Sequence, residues 1–171
     1  ENVELLIKLN PQGKTTPTIF QAQVGQEVEV SMPFGTFYLD DHRLPQKFVF
    51  LAGGVGLSAL LSMIRHLEHL DYQGEVTLIY GNRTPEDIVH REELERLAKE
   101  WKLNLVHTID HPEGCEWSGE TGFICAEMIK KHCDYKNSDF YICGPPQMVG
   151  HMVQNLDELS VPHDRIHKEQ W

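Results

Sequence analysis

Two patterns of apolar residues divide this chain. Up to about residue 44, apolar and polar positions alternate. Residues 3–9 read as a strand, Asn10-Pro-Gln-Gly13 as a turn and Glu27-Val-Glu-Val-Ser31 as a second strand. Pro33-Phe-Gly-Thr-Phe37 then reads as a tight turn into a short third strand. A period of two with one apolar face predicts an antiparallel sheet or barrel fragment. From about Pro45 the pattern changes to apolar runs of five or six residues separated by helical segments. Strands are expected at 47–52, 75–80, 103–109, 139–143 and 165–169, and helices at 57–70, 85–101, 121–132 and 146–159. Thr84-Pro85 followed by Asp87 marks a helix start, with proline at the first helical position. Strands that are apolar throughout are buried on both faces. The expected class is therefore α/β, a five-stranded parallel sheet with helices on both faces over residues 45–171. A partial antiparallel β-barrel fragment precedes it over 1–44. That fragment is too short to close a barrel and needs further strands to be stable.

The candidate chemistry sits where apolar runs end. Gly53-Gly-Val-Gly56 closes the first buried run, and Leu57 and Ser58 open a helix directly after it. Strand, glycine turn and helix aim backbone N–H groups and a positive helix end at a phosphate, with the Ser58 hydroxyl as an added donor. The bland alternative is an ordinary β–α turn. Cys143-Gly-Pro-Pro146 closes another run near the C-terminus. It fixes a rigid turn at the carboxyl edge of the sheet, where open α/β folds bind ligands. Cys143 stands either beside a flat ring or as a small buried hydrophobe.

Composition narrows the classes. With 171 residues, 40 % hydrophobic and 24 % charged, the chain has the make-up of a folded domain. Its formal net charge of −11, from 26 acidic and 15 basic residues, repels phosphate backbones and argues against nucleic acid as a partner. No apolar run approaches the roughly 18 residues of a bilayer span, and no signal segment opens the chain. It begins at Glu1, which reads as processed, trimmed or cut from something longer. Cysteines at 115, 125, 133 and 143 fit no zinc or iron–sulfur spacing. Two disulfides are conceivable, but reduced thiols in a cytoplasmic protein are expected.

In order along the chain come Pro33-x-Gly35-x-Phe37, Gly53-Gly-x-Gly56, Tyr80-Gly-Asn-Arg-Thr84, Trp117-Ser-Gly-Glu-Thr-Gly122, Cys143-Gly-Pro-Pro146 and Ile166-His-Lys-Glu-Gln-Trp171. With these motifs the chain resembles the ferredoxin–NADP⁺ reductase superfamily of flavin-dependent reductases over nearly its whole length. The resemblance implies a Rossmann-like NAD(P)-binding domain over 45–171 and the C-terminal part of an FAD-binding β-barrel over 1–44. It implies FAD and NADH (or NADPH) as cofactors, and a hydride passed from nicotinamide to flavin and on to an electron acceptor, either a protein or a small molecule. It places Gly13, Thr15 and Thr16 on the flavin diphosphate. Gly53, Gly54, Gly56, Asn82, Arg83, Gly144, Pro145 and Met148 fall on the nucleotide, although Met148 with Met152 also reads as core. Cys143 and Glu169 are implied at the reacting rings, with Trp171 covering the flavin, and Ser58 is implied on the nucleotide diphosphate and counted with Cys143 and Glu169 as catalytic.

Some positions depart from the family. Val55 stands where members usually carry Thr, and Ala59 where they carry Pro. The Arg-x-Tyr-Ser flavin motif is absent, because it belongs to the first half of the barrel. Either the chain is a piece completed by a missing segment or partner, or it is a nucleotide-binding or interaction subunit without flavin. Asp110 and His111 occupy the place where NADPH users tend to carry Ser-Arg. A carboxylate there accepts hydrogen bonds from a ribose diol and repels a 2′-phosphate, which favours NADH. His66 with His69, and His163 with His167, lack a third ligand, so no metal is expected.

Overall fold

The computed structural model describes residues 3–31, 34–114 and 116–170. Pro33, Cys115 and Trp171 therefore lie outside the described residues. The chain divides into two units, 1–36 and 37–171.

In the first unit the alternating pattern forms no β-strand among the described residues, and this corrects the antiparallel fragment expected there. The regular element is instead a short helix, α1 (Thr15–Phe20). The apolar positions that were to cover one sheet face stand open: Val3 is 79 % exposed, Val28 and Val30 70 % each. A two-sided strand gains little until a neighbour covers its apolar face, and no described strand does so here.

The second unit holds one six-stranded sheet, every pair parallel, in the order β4-β3-β2-β1-β5-β6. The strands are β1 (Lys47–Gly53), β2 (Glu75–Asn82), β3 (Asn104–Ile109), β4 (Glu120–Thr121), β5 (Asp139–Gly144) and β6 (Ile166–Gln170). Five match the expected runs to within two residues at each end. The sixth, β4, is a two-residue ladder to Thr108 and Ile109. It takes Thr121 from the helix expected at 121–132, which starts at Ala126 as α4 (Ala126–His132), after Gly122 turns at φ +83°.

The other helices are α2 (Leu57–His69), α3 (Arg91–Glu100) and α5 (Pro146–Glu158). The helix expected at 85–101 is broken. A 3₁₀ turn at Pro85–Asp87 gives way to extended Ile88, and His90 adopts the left-handed region at φ +53° before α3 begins. Ile88 is 7 % exposed, and its burial in the α2–α3 core favours this break over a continuous helix.

Leu57, Leu60 and Leu61 of α2 and Leu94 and Leu97 of α3 cover one face of the sheet, against Phe48, Phe50 and Tyr80. Met128 and Ile129 of α4, with Val149, Met152 and Leu156 of α5, cover the other, against Val49, Leu51 and Phe140. Two forked ion pairs clamp α2 to α3. Arg65 donates to both Glu93 carboxylate oxygens at 2.7 Å, and Arg96 to those of Glu68 at 2.7 and 3.1 Å. Each guanidinium holds its partner's carboxyl below the usual range.

Candidate functional site

Because all six strands run parallel, their carboxyl ends share one edge, and the candidate residues of the second unit converge there. The helix after β1 packs on one face and the helix after β5 on the other, so the strand order reverses between β1 and β5. Such a reversal opens a crevice at the carboxyl edge. Gly53 to Gly56 form one lip of it and Gly144, Pro145 and Pro146 the other.

The glycines have separate reasons to be there. Gly54 sits at φ +50°, a backbone region that costs an L-residue about 1–2 kcal/mol. Gly56 has ordinary φ, but a side chain would overlap the Cys143 carbonyl of β5. At Gly53 a side chain would collide with the Met148 sulfur, so Met148 forms the floor beneath the turn. Leu57 then opens α2, and Ser58 in its first turn is exposed.

At the β5–β6 end, Cys143 and Glu169 are register partners on neighbouring strands. Cys143 is buried, and burial, helped by the Glu169 carboxylate, pushes its thiol up to about 11. It stays protonated at neutral pH and offers a soft apolar surface, not a nucleophile. Glu169 is exposed. Beneath this pair Tyr141 stacks on His167 with ring centroids 4.4 Å apart.

At the β2–β3 end the ladder continues past the strands. The Asp110 N–H donates to the Asn82 carbonyl at 3.0 Å and the His111 N–H to that of Arg83 at 2.9 Å. This brings Asn82, Arg83 and Asp110 together, as their separate motifs did not require. Burial pushes the Asp110 carboxyl up, while His111 and Arg83 pull it back down. Asn82 is only 6 % exposed, and among the described residues neither its amide oxygen nor its amide nitrogen has a hydrogen-bond partner. A buried primary amide with nothing to bond costs free energy, and a polar ligand at this edge would recover it.

In the first unit, Gly13, Thr15 and Thr16 lie at the start of α1. The Gly13 N–H donates to the Asn10 carbonyl at 2.9 Å. The Thr16 hydroxyl donates to that same carbonyl and accepts from the Asn10 N–H. These groups are engaged within the loop itself. Among the described residues no group of three or more His, Cys, Asp or Glu is placed to hold a metal, and Cys125, Cys133 and Cys143 are free thiols. No helix of the described residues is long and apolar enough to cross a membrane.

Two polar residues were given no role by the reading of motifs, although Tyr80 opens one of those motifs. Tyr80 is fully buried, and its hydroxyl donates to the Gly54 carbonyl at 3.1 Å. His107, its register partner on β3, has both ring nitrogens buried and without a hydrogen-bond partner, between the rings of Tyr80 and Trp117. A polar residue inside an otherwise apolar strand was the available signal for each.

A parallel sheet with a glycine turn at its switch point defines a dinucleotide-binding α/β domain. The family model for the oxidoreductase NAD-binding domain matches residues 50–154, and the chain belongs to that family. It is 33 % identical over 170 residues to the anthranilate 1,2-dioxygenase electron transfer component of Acinetobacter baylyi, covering 99 % of this chain and 49 % of that protein. It is 35 % identical over 162 residues to NADH–cytochrome b5 reductase 1 of Arabidopsis thaliana, covering 92 % of this chain and 57 % of that one. The cytochrome b5 reductase domain of Ulva prolifera nitrate reductase superposes with a TM-score of 0.82 at 27 % identity, covering 92 % of this chain and 66 % of that domain. The chain spans about half the length of the curated relatives it matches. It is an oxidoreductase NAD-binding domain homologous to part of the cytochrome b5 reductases and of the oxygenase reductase components.

Proposed function

We propose that this chain is the pyridine-nucleotide half of an NADH-dependent flavin reductase, and that residues 1–44 belong to its flavin-binding barrel. The observation that carries this is the convergence of the glycine turn, the Cys143–Pro146 turn and the Asn82–Asp110 pair on one sheet edge. From β3 to β6 the edge covers four inter-strand spacings, about 19 Å, which suits an extended dinucleotide. The diphosphate takes the glycine turn and the start of α2, with Ser58 as a further donor. Asp110 accepts from the adenosine ribose diol and disfavours a 2′-phosphate, while the buried Asn82 amide and Arg83 add contacts beside it. Gly144, Pro145 and Met148 line the second lip, so the nicotinamide ring lies near Cys143 and Glu169. The neutral thiol packs against the ring without competing for its hydride.

A bound flavin supplies the conversion of a two-electron hydride into single electrons for an acceptor, a protein or a small molecule. The family resemblance alone assigns Gly13, Thr15 and Thr16 to its diphosphate, and Glu169 and Trp171 to its ring. A reducing, cytoplasmic setting is part of this proposal and rests on the cysteine spacing in the sequence.

Calorimetric titration with NADH and NADPH tests the nucleotide assignment. NADH is expected to bind the more tightly, and Asp110→Ser to narrow the gap by roughly tenfold, the worth of one charged contact. Absence of binding by either nucleotide up to millimolar levels would sink the proposal. One observation favours a second reading, a nucleotide-binding unit that holds no flavin by itself: the Gly13 N–H and the Thr16 hydroxyl are engaged by Asn10. An absorbance spectrum of the purified chain separates the two, since flavin bands that bleach with NADH exclude the second.

A further inference from the structure

We infer that Tyr80 is the positioning residue of the diphosphate site: its buried hydroxyl holds the Gly54 carbonyl inward, so that the glycine turn presents its N–H groups outward. This inference rests on the nucleotide-binding reading above and concerns how the turn is held in its binding form. The peptide following Gly54 is trans, as are all those described, and in a trans peptide the C=O and N–H point in opposite directions. The Gly54 carbonyl accepts from Tyr80 at 3.1 Å, and the cap at Leu57 returns backbone N–H groups to the Gly54 and Val55 carbonyls. The Gly54 carbonyl is thus turned onto Tyr80 and the Val55 carbonyl along the start of α2, so the N–H groups of Val55 and Gly56 on the same peptide planes point away from those partners, toward the open end of the helix. Successive N–H groups of this kind form an anion-binding concavity.

Gly54 is the joint at which this arrangement could fail. Its left-handed φ and the lack of a side chain give it the widest choice of backbone conformation in the turn, and its carbonyl is held by the cap at Leu57 and by Tyr80. Tyr80 is suited to hold it. The side chain is fully buried on the central part of the sheet, register partner to Ala52 on β1 and to His107 on β3. Burial pushes its phenol up to about 12, so the hydroxyl keeps its proton and remains a donor at any physiological pH. The Val89 backbone and the Asn82 side chain lie beside the same hydroxyl, which ties the turn after β1 to the segment that follows β2.

The unpartnered Asn82 amide is the independent sign that a ligand completes this neighbourhood. Two residues beyond Tyr80 on the same strand, it is more than nine-tenths buried, lies beside the Tyr80 hydroxyl, and has no partner within hydrogen-bond geometry among the described residues. One strand would thus use two residues for one ligand, with Tyr80 acting through the glycine turn and Asn82 by contact.

The test compares ADP with adenosine, which differ in the diphosphate, on the whole chain and its Tyr80→Phe variant. Removing only the hydroxyl is expected to weaken ADP roughly three- to tenfold, the worth of one hydrogen bond, and to leave adenosine unchanged. A merely structural role would weaken both ligands together, and that result, or no loss for either, overturns the inference. A second measurement needs no variant. In ¹H–¹⁵N spectra of the unaltered chain the Val55 and Gly56 amides should shift with ADP and not with adenosine, and equal shifts with both count against it. If the unaltered chain binds neither ligand, the nucleotide reading itself has failed, a result distinct from binding that ignores the Tyr80 hydroxyl.

Discussion

Residues 3–9 and residues 47–53 are comparably apolar, yet one stretch lies open and the other forms the centre of the molecule's sheet. Val3, Leu5 and Leu9 are 79, 64 and 43 % exposed, whereas Phe48 through Ala52 are at most 1 % exposed. The difference lies in where each finds its partners. β1 has β2 on one side and β5 on the other, with helices on both faces, all supplied by the chain that follows it, from Leu57 to Glu158. The alternating stretch has one apolar face and finds no neighbouring strand among the described residues. A period-two pattern states which face is to be buried, but pairing must come from elsewhere, and until it does the backbone gains no ladder hydrogen bonds.

The contrast should be plainest in stability. Phe50→Ala removes a fully buried ring stacked on Phe48, with centroids 5.7 Å apart, and should cost about 3–5 kcal/mol in urea denaturation. Val28→Thr and Val30→Thr in the first unit should stay within about 0.5 kcal/mol, as exposed substitutions do. Equal costs would mean that the first unit is packed after all. The next largest effect sets one glycine against another. Gly56→Ala forces a methyl onto the Cys143 carbonyl and should cost about 1–3 kcal/mol, with loss of NADH binding seen by calorimetry. At Gly13 the added carbon would meet the Asn10 carbonyl at 3.2 Å, and Gly13→Ala should leave NADH affinity unchanged.

Acid sharpens the comparison further, because all ten histidines lie beyond residue 36. Burial lowers the pKa of His107 below 6.5, Arg91 adding to the effect and Glu95 opposing it. Below pH 6.5 the unfolded chain takes up a proton at this ring that the folded chain refuses. Stability is therefore complete above 6.5 and is lost as the pH falls toward the lowered value. His107→Gln should flatten the fall in melting temperature between pH 6.5 and 5 relative to the unaltered chain, and an unchanged slope would assign the acid sensitivity elsewhere. The smallest effect belongs to the α2–α3 clamp. Arg65→Met should cost about 1 kcal/mol or less in low salt, since both partners are partly exposed, and less still at 1 M salt.

Much of the second unit was legible because its signals are local. Each buried run carries its own apolar content, and each turn at the carboxyl edge carries the glycine or proline that its backbone needs. Gly53, Gly54, Gly56, Cys143 and Gly144 were accordingly placed at strand ends before any contact was known. The misses fall where a distant partner outweighed a local pattern. Ile88 left a helical stretch for the core, and Thr121 left another to pair, with Glu120, against β3. The Asn82–Asp110 pairing was out of reach for the same reason, since 28 residues separate the two.

By itself the amino-acid order determined the alternation of strand and helix, the parallel sheet that follows from fully apolar strands, and the position of the glycine turn on it. These depend on periodicity and on backbone preferences that each segment carries wherever it sits. Tertiary structure alone decided what each glycine is for. Gly56 makes room for the Cys143 carbonyl, Gly53 rests on Met148, and Gly54 turns to meet a hydroxyl from the next strand. It also decided that the alternating residues of the first unit remain without a sheet. A side chain's own chemistry is local, but the surface it must fit, or fails to find, is made by residues far away in the chain.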